Sequence, residues 1–170
     1  MKNPRSFTTK DLTLCALLLA TTCFATLLLK VPVPPFGYIN LGDCIILLGA
    51  WLCGPLAISA AVGAMLADIL SGYAIYAPAT LLVKTIVALV AWKILQSSHV
   101  PSLSTFIISA FLAEFFMVAG YYFYDAILLH SFLAALPGVL FNVIQAATNI
   151  LIASIIGPKI LHLKDRYTKE

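Results

Sequence analysis

The sequence predicts an all-α, multi-pass membrane protein, a single domain of six transmembrane helices (residues 1–170) with both termini on the cytoplasmic side. Three observations predict it. Composition is 62% hydrophobic and 10% charged, against about a quarter charged in soluble domains. With a mean hydropathy of +1.02, the chain has too much apolar surface to hide inside a polar coat. Finally, a six-span threading leaves eight of the ten Lys and Arg residues on one face: Lys2, Arg5, Lys10, Lys93, Lys159, Lys164, Arg166 and Lys169. The positive-inside rule assigns that face to the cytoplasm. The net charge of +3 is therefore a topology signal and not a nucleic-acid footprint.

Crossing ~30 Å of hydrocarbon takes about 20 helical residues. The first helix covers about Asp11 to Leu29, with Thr8 or Thr9 placed to cap it. No Ala-x-Ala cleavage signal closes that run, so it reads as a retained span. From Lys30 to Asn40, Pro32, Pro34 and Pro35 forbid helix and predict an extended, semi-rigid loop. A second helix, about Leu41 to Cys53, is broken by Gly54-Pro55. The third covers about Leu56 to Leu70 and stops at Ser71-Gly72. Both are short for a bilayer, which predicts tilt or completion by the loops beside them. The fourth starts at Pro78, a good first-turn residue, and reaches about Leu95. After a polar linker, the fifth spans about Thr105 to Leu128. The sixth runs from about Pro137 to Gly157-Pro158, followed by a basic tail.

A charge at the bilayer centre costs about 2.5–3.5 kcal/mol on insertion scales, so ionisable groups inside spans are functional candidates. Lys84 lies roughly 9 Å into the fourth helix, and Asn142 sits at similar depth on the sixth. Asn142, Gln145 and Asn149 share one helical face, as do Glu114, Tyr121 and Asp125. Two polar stripes and a cation thus converge on a cavity opening outward. Each group also has a plainer reading. Buried amides serve as interhelical hydrogen-bond partners worth about 0.6 kcal/mol. Lys84 reaches back to the outer surface by snorkelling. Glu114 points toward the cytoplasmic half and meets another helix or subunit, and Asp125 is solvated at the outer end.

The outward loops add aromatics. Tyr38, Asn40 and Asp43 join the proline-rich loop to the second helix, and Tyr73 and Tyr76 lie between the third and fourth. Tyrosines at this level are interfacial anchors or, as a pair of loops, a cover that closes over a small planar ligand. Asp68, one turn before Gly72, reads as a cap or a tie for that loop and not as a ligand contact. Ala16 and Ala20, four apart on the first helix, form a groove for close approach of a partner helix. The alanines and glycine of the third helix imply tight internal packing. Cys15, Cys23, Cys44 and Cys53 read as packing thiols. Neither these nor His99, His130 and His162 form a metal or catalytic cluster, and no cofactor or phosphate-cradling glycine loop is indicated. Uphill transport driven by ATP would need its motor on another chain.

The stretches I-N-L-G-D (39–43), L-L-G-A-W-L-C-G-P (47–55) and A-D-I-L-S-G-Y-A-I-Y-A-P-A-T-L-L-V-K (67–84) resemble the S component of energy-coupling factor (ECF) vitamin transporters, in particular the hydroxymethylpyrimidine/pyridoxine-type branch. The layout of the whole chain is similar too. The resemblance implies a non-enzymatic substrate-binding subunit in the bacterial plasma membrane. Its implied partners are a transmembrane coupling protein, two cytoplasmic ATPases and a vitamin or precursor. It further implies ligand contacts from Lys84, Glu114, Tyr121, Asn142 and Gln145, gating by Tyr38–Asp43 and Gly72–Pro78, and docking of the coupling protein at Ala16 and Ala20. On that reading, Lys84→Ala and Asn142→Ala weaken binding with folding intact. A stand-alone channel or ion-coupled carrier is the alternative function; an intramembrane enzyme and a structural subunit are further rivals.

Overall fold

The computed structural model describes residues 7–98 and 101–167. Lys2, Arg5, His99 and Lys169 lie outside the described residues, as do the side chains of Lys164 and Arg166. Helix α1 (Thr9–Leu28) opens with a reciprocal cap: Thr8 Oγ1 accepts from the Asp11 N–H, and Asp11 accepts from the Thr8 N–H at 3.0 Å. The proline-rich segment is more ordered than an extended loop. Strand β1 (Lys30–Pro32) pairs antiparallel with β2 (Tyr38–Asn40), with Lys30 opposite Asn40 and Pro32 opposite Tyr38. The expected helical architecture holds, and this short hairpin is added to it. A two-stranded ribbon has only edges, where proline's missing donor is tolerated.

Helices α2 (Gly42–Cys53) and α3 (Ile58–Leu70) are joined by a 3-10 turn at Gly54–Ala57. Gly54 takes φ +64° against the Trp92 indole, a conformation suited to glycine. The turn reverses the chain. Gly42 packs on Thr26 near the end of α1, whereas Cys15 Sγ lies 3.9 Å from the Leu56 carbonyl near its beginning. At the far end of α3, Asp68 is back beside Tyr38. Among the described residues, five helical stretches are long and apolar enough to cross a bilayer when Gly42–Leu70 is taken as one. Its two legs of 12 and 13 residues each rise only about 18–20 Å.

Helices α4 (Ala77–Gln96) and α5 (Leu103–Leu128) lie within two residues of the expected bounds. Helix α6 does not. It spans Phe132–Tyr167, starting five residues before Pro137 and continuing through Gly157-Pro158. Each proline removes one intrahelical bond, but inside a packed membrane bundle neighbouring groups compensate and the helix persists. At Gly157 the Trp51 ring occupies the space a Cβ would need.

Buried faces recur at helical spacing: Thr80, Lys84, Val87, Ala91 and Leu95 on α4, and Asp125, Met117, Ala113 and Phe106 on α5. On α6 they are Gln145, Asn149 and Ala153. Each face is polar toward the β hairpin and apolar toward the other end. There Trp51 packs edge-on against Phe106 with ring centroids 4.9 Å apart. Its indole N–H donates to Ser109 Oγ at 2.9 Å, and Ser109 donates to the Ala91 carbonyl at 2.8 Å. That end is solid. The small residues of α3 are buried, and Gly63 abuts the Leu19 carbonyl, so α3 approaches α1 closely on that side. Ala16 and Ala20 are left exposed.

Candidate functional site

Where the polar faces meet lies a cavity of about 30 Å³. Its walls include Tyr38, Tyr73, Tyr76 and Tyr121, with Asp68, Asn142 and Gln145 among its polar residues. Asn40, Thr80, Phe36 and Gly37 complete the lining. One water needs roughly 10–15 Å³ of such space, so the pocket as it stands has room for a couple of waters.

Its roof is the β hairpin and the α3–α4 loop, held by side-chain hydrogen bonds. Tyr38 Oη donates to Asp68 Oδ1, and Lys30 Nζ donates to Ser71 Oγ at 2.7 Å. Tyr76 Oη donates to Asp125 Oδ1 at 2.8 Å, and Tyr124 Oη donates to the Ile75 carbonyl. The Tyr38 and Tyr73 rings meet edge-on at 5.1 Å. Burial, with the Asp68 carboxylate beside it, pushes the Tyr38 phenol above its ordinary range. Burial and the hydrogen bond to Asp125 do the same for Tyr76. Both phenols therefore keep the proton that closes the roof.

The floor is a satisfied polar network. Lys84 Nζ lies 2.7 Å from both carboxylate oxygens of Asp43. Gln145 Nε2 donates to Asp43 Oδ2 at 2.7 Å, and Gln145 Oε1 accepts from the Asn40 N–H at 2.9 Å. Asn149 Oδ1 accepts from the Cys44 N–H at 2.9 Å, occupying one of the orphan donors in the first turn of α2. Its Nδ2 donates to the Asn40 carbonyl at 3.1 Å.

The structure thus brings seven of the expected residues to one cavity: Tyr38, Asn40, Tyr73, Tyr76, Tyr121, Asn142 and Gln145. Asp43, Lys84 and Glu114 do not line it. Lys84 neither snorkels nor faces the cavity; it is 3% exposed and engaged by Asp43, because two opposite charges buried together cost far less than either alone. Glu114 is also buried, and neither of its oxygens has a hydrogen-bond partner among the described residues. Asp125, expected to be solvated, is 2% exposed because Tyr76 reaches across to it. Asp68 does tie down the loop, yet it also lines the cavity. Phe36 and Thr80 were missed. Thr80 carried a signal, standing one turn before Lys84 on the same face, whereas Phe36 carried none.

A larger space of about 1030 Å³ runs between α5 and α6, lined mainly by apolar side chains such as Ile107, Phe111, Phe115, Val143 and Leu151. Glu114, Ser154 and Lys159 also line it.

An apolar-faced helical bundle with a closed polar pocket at one end defines a multi-pass membrane protein with a candidate binding site. Residues 6–162 match the family model described as ECF-type riboflavin transporter, S component. The chain belongs to this S-component family, whose members are transporter subunits and not enzymes. It is also similar to an uncharacterized protein in the gap 3′ region of Pyrococcus woesei. The two are 32% identical over 136 residues, covering 78% of this chain and 88% of the relative.

Proposed function

We propose that the chain captures a small polar vitamin or precursor, of hydroxymethylpyrimidine or pyridoxine type, from outside the cell and delivers it for ATP-driven uptake. In this reading the bundle crosses the plasma membrane six times, the α2–α3 hairpin counting twice. Both termini are cytoplasmic. The exposed Lys10, Lys93 and Lys159 lie toward the solid end, which supports that orientation. A transmembrane coupling protein docks on the α1 face bearing Ala16 and Ala20, and two cytoplasmic ATPases supply the energy.

The observation that carries the reading is the tyrosine-walled cavity under two latched loops, closed below by the Asp43–Lys84–Gln145 network and then by the Trp51–Phe106 plug. A dead-ended pocket with a movable roof suits capture and handover. A channel would need a continuous path through that plug. Riboflavin is the second reading, favoured by the wording of the matching family model.

Mass spectrometry of small molecules retained by the detergent-purified protein tests the proposal. A single retained heterocycle, together with uptake that disappears without the ATPases, supports it. Visible flavin absorbance would select the second reading, and uptake independent of ATPases would refute both.

A further inference from the structure

We propose that Asp68 is the anchoring acceptor of the pocket, and that the captured solute presents to it an N–H donor, an amino group or a protonated ring nitrogen. The inference rests on the capture reading above and narrows its ligand class.

Asp68 is 5% exposed and lines the cavity. Its Oδ1 accepts from Tyr38 Oη, but Oδ2 is sealed from solvent and has no hydrogen-bond partner among the described residues. Thr80 also approaches the carboxylate as a hydrogen-bond donor, and its hydroxyl lies 2.8 Å from Tyr121 Oη, where either group can donate to the other. A buried carboxylate oxygen without a donor is costly, and a ligand donor would relieve that cost. The surrounding groups reinforce the polarity. Lys84 is paired with Asp43, and these two opposite charges act on Asp68 in opposite senses. Tyr38, Tyr73, Tyr76 and Tyr121 wall the cavity, and the faces of tyrosine rings attract positive charge and polarised N–H groups. A carboxylate among tyrosine rings therefore selects a flat, amino-bearing or protonated nitrogen heterocycle over one that offers only acceptors.

The test is calorimetric titration of the full-length, detergent-solubilised protein with 4-amino-5-hydroxymethyl-2-methylpyrimidine and with its des-amino counterpart. The wild type should favour the amino compound by about 30-fold, the range of a hydrogen bond to a charged group. Asp68→Asn, which can retain an acceptor for Tyr38 but offers an amide donor in place of the free oxygen, should abolish that preference. Tyr38→Phe should keep it. Equal binding of the two compounds to wild type, or an amino preference that survives Asp68→Asn, overturns the role of Asp68 and leaves capture standing. Should Asp68→Asn fail to fold, the wild-type comparison alone decides. Binding of neither compound to the wild type overturns the inference together with the hydroxymethylpyrimidine reading.

Discussion

Lys84 on α4 and Asp43 at the start of α2 form a buried ion pair, the ammonium nitrogen 2.7 Å from both carboxylate oxygens. The pair fixes the floor of the pocket, because the same carboxylate holds the Gln145 amide. In consequence a residue that looks like a ligand contact in the sequence carries structural weight.

Lys84→Met should destabilise the protein by about 3–5 kcal/mol, since Asp43 is left buried without its counter-charge. The double variant Lys84→Met/Asp43→Asn should recover most of the loss. Thermal unfolding in detergent, followed by tryptophan fluorescence, reads both. A single variant as stable as wild type would contradict the assigned pairing.

Asn142 differs in kind. It lines the cavity, and no side-chain hydrogen bond ties it to the described residues. Asn142→Ala should leave stability within about 0.5 kcal/mol of wild type and weaken ligand binding by about 10-fold or more. Titration of the retained solute against both proteins measures the split.

The roof should respond to its latches. Tyr38→Phe or Tyr76→Phe removes one donor, and each should speed ligand release by about 5–10-fold. Both phenols are pushed up by burial and a neighbouring carboxylate, so the closed form favours the proton. Its advantage is full below the ordinary phenol value of about 10 and declines as pH rises through the folded-state value. Stopped-flow release rates should therefore be flat between about pH 6 and 9 and climb only at higher pH.

Ala16 and Ala20 are exposed on α1, away from the cavity. Ala16→Trp should leave solute binding unchanged while abolishing uptake by the complete complex, because the indole fills the groove needed for close helix approach. Comparing equilibrium binding with cellular uptake separates the two effects.

The polar stripes and the loop tyrosines were legible because helical spacing alone gathers Asn142 with Gln145 and Tyr121 with Asp125. What spacing cannot show is which partner a charge finds. Asp43 and Lys84 are 41 residues apart, and the reversals at Gly54 and in the α3–α4 loop together bring their helices side by side. Likewise Asp125 looked solvated because Tyr76, on a distant loop, is what covers it. Pro137 and Pro158 resemble helix ends in sequence, yet packing against Trp51 and its neighbours carries α6 past the second of them. The β hairpin escaped notice because three prolines mask a ladder of only three residue pairs.

The most direct test is an experimental structure of the protein purified with its retained solute. Density for that solute between Asp68, Asn142, Gln145 and the tyrosine rings, with the roof loops displaced or reshaped around it, is the predicted result. Solute found instead in the α5–α6 groove, with the tyrosine-walled pocket still shut, would contradict the account.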